Sequence, residues 1–311
     1  MENSINGIHH ITAIAGNAQR NFNFYSKVLG LRLVKKTVNF DDPQTYHLYY
    51  GDEQGTPGSI LTFFPWEGIA TGRRGTRQAT EIGYSVPEGS FDFWINRFEK
   101  HNVIYNKPAE KFGEQYLTFI DPDGLKLELI TSKTGDNRLP WETDEVKAEN
   151  ATKGFHNITI TTNKMQPTAD ILTSVFGYKL LEQHVNRFRF VTDAVDNANI
   201  VDLVEVPGEH AGHVAGGSVH HVAFRVKNEE ILMQYREKIE ALGLHITEKI
   251  DRNYFFSLYF REPGGVLFEI ATDNPGFSVD EPVESLGSHL KLPAQYEEYR
   301  ASLETTLPKL V

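Results

Sequence analysis

Apolar residues along this chain follow two periods that take turns. Runs in which apolar and polar residues alternate, bounded by Gly, Pro and Asn, read as strands. Stretches with apolar residues three and four apart read as amphipathic helices. Ser218-Val219-His220-His221-Val222-Ala223-Phe224 is of the first kind, and Gly7-Ile8-His9-His10-Ile11-Thr12 echoes it near the start. Helical stripes follow at Phe22, Tyr25, Val28 and Leu29, at Phe91, Trp94 and Phe98, at Ala169, Leu172, Val175 and Phe176, and at Leu232, Tyr235, Ile239 and Leu242. Each stripe comes after a strand and before about three more.

The pattern repeats. Gly7-Ile8-His9-His10-Ile11-Thr12 aligns with Gly154-Phe155-His156-Asn157-Ile158-Thr159 at an offset of 147, which also carries Gly30 onto Gly177 behind the helical stripe. A second offset, 141, carries Pro122-Asp123-Gly124 onto Pro263-Gly264-Gly265 and Leu127-Glu128-Leu129 onto Phe268-Glu269-Ile270. The chain therefore reads as four βαβββ units in an α+β fold. They group as an N-terminal paired domain (1–132), a polar linker (133–153), a C-terminal paired domain (154–273) and a tail (274–311) with an amphipathic helix from about Ala294 to Leu307.

Composition narrows the chemistry. A net charge of -11 argues against nucleic acid as a partner, because phosphate contacts need clustered Lys and Arg. The absence of cysteine removes disulfides, thiolate ligands and a thiol nucleophile. No apolar run is long enough to span a membrane, and the start, Met1 to Asn6, lacks the features of a signal peptide; a cytoplasmic protein is expected.

Strand alternation then sorts the histidines by face. Val222, Phe224 and Val226 form an apolar face, which puts His221 opposite it; Phe268 and Ile270 likewise leave Glu269 on the other side. The inner face expected from this bears His10, Thr12, His221, Tyr259 and Glu269, while alternation sends His9 and His220 to the far side of their strands. Two imidazoles and a carboxylate on a concave sheet make a facial triad of the kind that holds non-haem iron(II), with manganese(II), zinc and nickel compatible. The repeat serves as a control. Unit two has Thr80 or Glu81 where His221 stands, and Glu128 where Glu269 stands; unit three has Asn157 for His10, and its last strand, Asn199 to Val206, offers no clear carboxylate. A second metal site is therefore not expected. Unit one has Thr62 at the glutamate position, so three protein ligands are expected, with unit one paired to four and two to three.

These residues resemble the vicinal oxygen chelate superfamily of glyoxalases and extradiol dioxygenases, and more closely its ring-cleaving hydroquinone 1,2-dioxygenases. The resemblance rests on His9-His10-Ile11-Thr12, on Tyr46-His47-Leu48-Tyr49-Tyr50 through Gly55-Thr56-Pro57-Gly58, on His220-His221-Val222-Ala223-Phe224, and on Leu286-Gly287 with Leu290-Lys291-Leu292-Pro293. It implies metal ligands at His10, His221 and Glu269, catalytic groups at Tyr259, Arg252 and His220, and supporting groups at His9 and Thr12. It further implies an iron(II)-dependent opening of a small aromatic hydroquinone by dioxygen, in a protein free to form a homo-oligomer.

Other stretches are weaker. Gly72 to Arg77 is a basic loop, His210 and His213 lie in a Gly-rich loop where solvated histidines are commonplace, and His47 sits on a strand from which it could line a pocket. Two rival readings remain at this stage: another metal enzyme of the same fold, such as a glyoxalase-type isomerase or a thiol-transferring resistance enzyme, and a metal-free binding module.

Overall fold

The computed structural model of the chain describes residues 4–311; residues 1–3, part of the stretch read above for a signal peptide, lie outside them. The first unit supplies β1 (Ile8–Ala15), β2 (Arg32–Asn39), β3 (Asp42–Gly51) and β4 (Ile60–Pro65). From the second come β5 (Gln78–Ser85), β6 (Ile104–Tyr105), β7 (Ala109–Lys111), β8 (Glu114–Ile120) and β9 (Lys126–Ile130). The third contributes β10 (Phe155–Thr162), β11 (Lys179–His184), β12 (Arg187–Val191) and β13 (Ile200–Glu205). In the fourth are β14 (Ser218–Val226), β15 (Ile250–Asp251), β16 (Phe255–Arg261) and β17 (Leu267–Pro275). A helix follows the first strand of each unit: α1 (Ala18–Phe22), α2 (Phe91–Lys100), α3 (Gln166–Asp170) and α4 (Glu229–Ala241).

Strands assemble across the two halves of the chain. One sheet has eight strands in the order β15-β16-β17-β14-β1-β4-β3-β2, joining unit four to unit one; the other has nine, ordered β11-β12-β13-β10-β5-β9-β8-β6 with β7 on β8. The seams, β1 with β14 and β5 with β10, are antiparallel, and within a unit the first and last strands run parallel. Helix packing runs the other way. Tyr25, behind α1, packs on Phe63 and donates a hydrogen bond to Asp121 of unit two at 2.9 Å, while Phe24 faces Phe119. Phe176, behind α3, packs on Phe224 and Phe268 of unit four. Sheets therefore tie the halves together, and helices tie neighbouring units within each half.

Two local departures from the sequence reading have a shared cause in the duplication. Helix α1 continues as a π-helical turn, Asn23–Val28, and α3 as Ile171–Val175, each closed by a bond spanning five residues: Leu29 N–H to the Phe24 carbonyl and Phe176 N–H to that of Ile171. The wider turn rotates the buried stripe, so Phe24 and Ile171 are buried while Phe22 and Val28, expected inside, are only half-buried. Glycines at φ +71° (Gly30) and +78° (Gly177) then turn the chain out of both helices, a conformation that costs other residues dearly. In α4 the buried face is Ile231, Leu232, Tyr235 and Ile239, and the helix ends before Leu242, which is exposed.

The tail lies along β2. Lys35, fully buried, donates to Asp280 and Glu281 at 2.6 and 2.8 Å, and the Lys291 N–H donates to the Lys36 carbonyl. Beyond it come a 3-10 turn, Ala294–Tyr299, and α5 (Arg300–Thr306), with Tyr296 donating to the Phe40 carbonyl. Among the described residues no helix is long and apolar enough to cross a membrane.

Candidate metal centre

The seam between β1 and β14 carries an irregularity that sequence alternation does not foresee. Between Ile8 and His10 the partner strand advances by one residue, from Phe224 to Ala223, so His9 is an extra residue. Between Thr12 and Ala13 the partner advances by two, from His221 to Val219, so His220 is the extra residue on β14. Such bulges re-aim side chains. The expectation that His9 and His220 sit on the far side of their strands is accordingly corrected. Each bulged histidine bends back on its neighbour, with Nδ1 to Nδ1 separations of 2.9 Å for His9 and His10 and 2.8 Å for His220 and His221.

These contacts fix ring protonation in the first doublet. His9 Nε2 lies 3.1 Å from the Thr272 carbonyl, which can only accept, so His9 carries its proton there. Burial, then His10, keeps His9 neutral by lowering its pKa well below the usual range. Its bare Nδ1 must therefore accept from His10 Nδ1–H, which leaves Nε2 as the His10 ring nitrogen turned inward.

Three donor atoms meet at that point. His10 Nε2 is 3.4 Å from His221 Nε2 and 3.2 Å from Glu269 Oε2, and His221 Nε2 is 2.8 Å from the same oxygen. All three residues are buried, at 2%, 4% and 0% exposure. Ser257, on the same face of β16 as Tyr259, donates to Glu269 Oε1; among the described residues Oε2 faces only the two imidazole nitrogens. A buried carboxylate oxygen whose near neighbours are two imidazole nitrogens fits a divalent cation, which would satisfy all three atoms at once. Burial pushes the Glu269 carboxyl up, but His10 and His221 outweigh it and hold it well below the ordinary range.

The fourth corner is closed. Thr62 pairs with Thr12 as Glu269 pairs with Ala223, the duplication-related place. Its hydroxyl is 2.9 Å from Thr12 Oγ1 and 2.8 Å from His47 Nε2, and His47 Nδ1 is 2.9 Å from the Tyr49 hydroxyl.

A cavity of about 390 Å³ is lined by His10 and His221, with Glu269 behind them. Phe64, Trp66, Phe255 and Leu267 give it apolar walls, and Arg252, Tyr259, His220 and His47 give it polar ones; Phe40 and Asp41 from the β2–β3 turn stand at its edge. Arg252 Nε donates to the Tyr259 hydroxyl oxygen at 3.3 Å, and its guanidinium lies 3.5 Å from Asp41. Burial, reinforced by Glu269, raises the Tyr259 pKa, so the phenol keeps its proton. Burial, then His221, lowers His220 to about 3, a neutral ring.

Of the residues named from sequence, His10, His221 and Glu269 converge, with Thr12, Tyr259, Arg252 and His220 around them; His9 lies behind His10, away from the cavity. His47, one of the weaker candidates, lines the cavity. His210 and His213 are exposed in a loop that pairs with Gly72 to Arg77, away from the three donors. Sequence reasoning missed Ser257 as a partner of Glu269, although its alternation with Tyr259 put it on the inner face. It also missed Asp202 in β13, which stands opposite Thr159 where no carboxylate was expected.

The chain matches the family described as the Glyoxalase/Bleomycin resistance protein/Dioxygenase superfamily over residues 7–129 and 154–270. It is 46% identical over 301 residues, 97% of this chain and 95% of the other, to a Bacillus subtilis protein named as a ring-cleaving dioxygenase, MhqO. It is 35% identical over 311 residues, 97% of this chain and 96% of the relative, to the chlorohydroquinone/hydroquinone 1,2-dioxygenase of Sphingobium indicum. A crystal structure of a Bacillus subtilis protein described as a dioxygenase superposes with a TM-score of 0.95 at 44% identity, covering 99% and 98% of the two chains. Glyoxalase I from Zea mays shares the fold, with a TM-score of 0.66 at 14% identity over 91% of this chain and 97% of its own.

Proposed function

Since the chain belongs to the glyoxalase/bleomycin resistance/dioxygenase superfamily, we propose that it is an iron(II)-dependent dioxygenase that opens the ring of a hydroquinone beside a hydroxyl-bearing carbon. The observation that carries this reading is the meeting of His10 Nε2, His221 Nε2 and the buried Glu269 Oε2, with both imidazoles lining an aromatic-walled cavity. Iron(II) held there would supply Lewis-acid activation of a phenolic oxygen and reducing electrons for dioxygen. Three protein ligands leave room for both reactants.

The surrounding residues have separable roles. Arg252 Nε–H occupies the Tyr259 oxygen as acceptor, which frees the phenolic proton to be donated into the cavity. The Arg252 guanidinium offsets negative charge that develops on the substrate as its hydroxyl is deprotonated. With a cation on His221 Nε2, the His221 proton lies on Nδ1 and is donated to His220 Nδ1; His220 then carries its own proton on Nε2 and offers it to the substrate. His9, tied to the Thr272 carbonyl, only orients His10. Phe64, Trp66 and Phe255 favour a flat aromatic ring over an extended polar substrate.

A four-ligand isomerase would need a metal-binding side chain where Thr62 stands, and the Thr62 hydroxyl is taken up by Thr12 and His47. A metal-free binding module would have no use for two imidazole nitrogens and a carboxylate oxygen gathered within 3.4 Å of one another beneath its cavity.

The test is oxygen uptake by protein loaded with iron(II) under anaerobic conditions. Addition of hydroquinone and air-saturated buffer is expected to consume dioxygen mole for mole and yield a ring-opened acid. His221→Ala loses both metal and uptake, whereas His213→Ala keeps both. No uptake with any hydroquinone or catechol, with iron bound, would sink the reading.

A further inference from the structure

The second sheet repeats the seam of the first, bulge for bulge. His156 and Thr80 are its extra residues, as His9 and His220 are in the first. Registers match as well. Asn157 faces Gly83 as His10 faces Ala223, and Thr159 faces Glu81 as Thr12 faces His221. Glu128 pairs with Gly83 as Glu269 pairs with Ala223, and Asp202 with Thr159 as Thr62 with Thr12. Asn157, Glu81, Glu128 and Asp202 therefore stand at the places of His10, His221, Glu269 and Thr62. This second cup is richer in carboxylates than the first.

We propose that the second cup is a cation site that the chain fills with its own lysine, the Lys111 ammonium taking the part that a divalent ion has in the first. Lys111 lies 141 positions before Arg252, so the two are duplication partners. Arg252 reaches Tyr259, but Lys111 turns into the cup, donates to Glu128 Oε2 and lies 3.9 Å from Glu81 Oε2. Glu128 and Asp202 are 1% and 0% exposed, and carboxylates so buried require compensating charge. Arg187 spans the remaining gap, 2.9 Å from Glu81 and 3.8 Å from Asp202, and Arg189 takes both oxygens of Asp202. Lys126 closes the outer side of Glu81 at 2.6 Å.

One ligand atom is still open. Asn157, fully buried, donates from Nδ2 to Asp202 at 2.9 Å, and among the described residues its Oδ1, over Gly83 on the inner face, has no partner. A carboxamide oxygen and carboxylates form a hard, all-oxygen set suited to manganese(II), calcium or magnesium. With Lys111 in place the four acids Glu81, Glu114, Glu128 and Asp202 meet four cations, Lys111, Lys126, Arg187 and Arg189, with His156 also on Glu114, so a divalent ion has no charge to neutralise. Removing the ammonium leaves Glu128 with only a 3.4 Å contact from Thr118 Oγ1 and restores the demand for a cation. On this view the duplication keeps one metal-binding cup and one self-neutralised cup, and Lys111 is the residue that separates them.

Manganese(II) binding tests the proposal without recourse to the reaction. Equilibrium dialysis, with electron paramagnetic resonance of the bound ion, is run on the full chain and on Lys111→Met, which keeps the stem and removes the charge. Wild type is expected to bind about one ion per chain and Lys111→Met about two. Lys111→Met/Glu128→Gln, balanced again, returns to one, and Lys111→Met/His221→Ala keeps only the new site. If Lys111→Met is unstable alone, added manganese(II) raises its melting temperature more than it does for wild type. A folded Lys111→Met that binds one ion, or a variant that no manganese(II) concentration stabilises, overturns the proposal; loss of the first site alone would instead count against the His10–His221–Glu269 reading.

Discussion

Tyr259 and Arg252 lie seven residues apart, one on β16 and one just before it, and the hydrogen bond between them decides what the phenol can do. A phenol whose oxygen accepts from a guanidinium keeps a proton to give, and burial keeps that proton on at neutral pH. Tyr259→Phe should therefore lower kcat by about 100-fold, the usual worth of a positioned proton donor, and leave metal content unchanged. Parallel metal analysis and steady-state kinetics check it; a phenylalanine variant with wild-type kcat would reduce Tyr259 to a wall of the cavity. Most of the residues around the donors were legible from alternation and resemblance. Ser257 was not, because nothing in the sequence says that β16 and β17 pair in the register that sets Ser257 and Tyr259 beside Glu269.

At the scale of elements, what could be read was periodicity, and what could not was its interruption. Four strand–helix units follow from repeated patterns of 2 and 3.6 residues, their pairing from which units carry the histidines and Glu269, and the turns at Gly124 and Gly265 from the Pro- and Gly-bearing repeat. The π turns after α1 and α3 and the bulges at His9 and His220 each insert one residue into a regular element, and a period says nothing about an insertion that pairing geometry imposes. The same bulge on β10 directs His156 to Glu114 on β8, which also receives Arg189 from β12. Burial raises the Glu114 carboxyl, but His156 and Arg189 outweigh it and bring it from an ordinary 4.5 to about 2. A carboxyl depressed on folding stabilises above its unfolded pKa, and that contribution fades as pH falls from 4.5 to about 2. Glu114→Gln should thus cost about 2 kcal/mol at neutral pH and progressively less through that window. Urea midpoints of both proteins at pH 7, 4 and 3 measure it. An unchanged gap at pH 3 would mean that shape, and not charge, holds these strands.

For the whole molecule, the two ways in which the units associate divide the metal ligands unequally. Helix packing closes each half on itself, but the eight-stranded sheet takes β1 from one half and β14 and β17 from the other, so His10 arrives from far along the chain. A fragment covering residues 1–150 carries one ligand, and a fragment covering 151–311 carries two, each with the long antiparallel edge of β1, β5, β10 or β14 unpaired. Unpaired edges of that length, bordered by apolar residues, seek a partner strand. The fragments should therefore associate when co-expressed, with seams β1–β14 and β5–β10 reforming together, and the complex should hold metal in the stoichiometry of the intact chain. Alone, the C-terminal fragment should lose metal on dialysis, because two ligands do not complete the set. Co-purification through a tag on one fragment, followed by metal analysis, decides between outcomes. Stoichiometric metal on the isolated C-terminal fragment would mean that His10 is dispensable and that the site is not built across the seam.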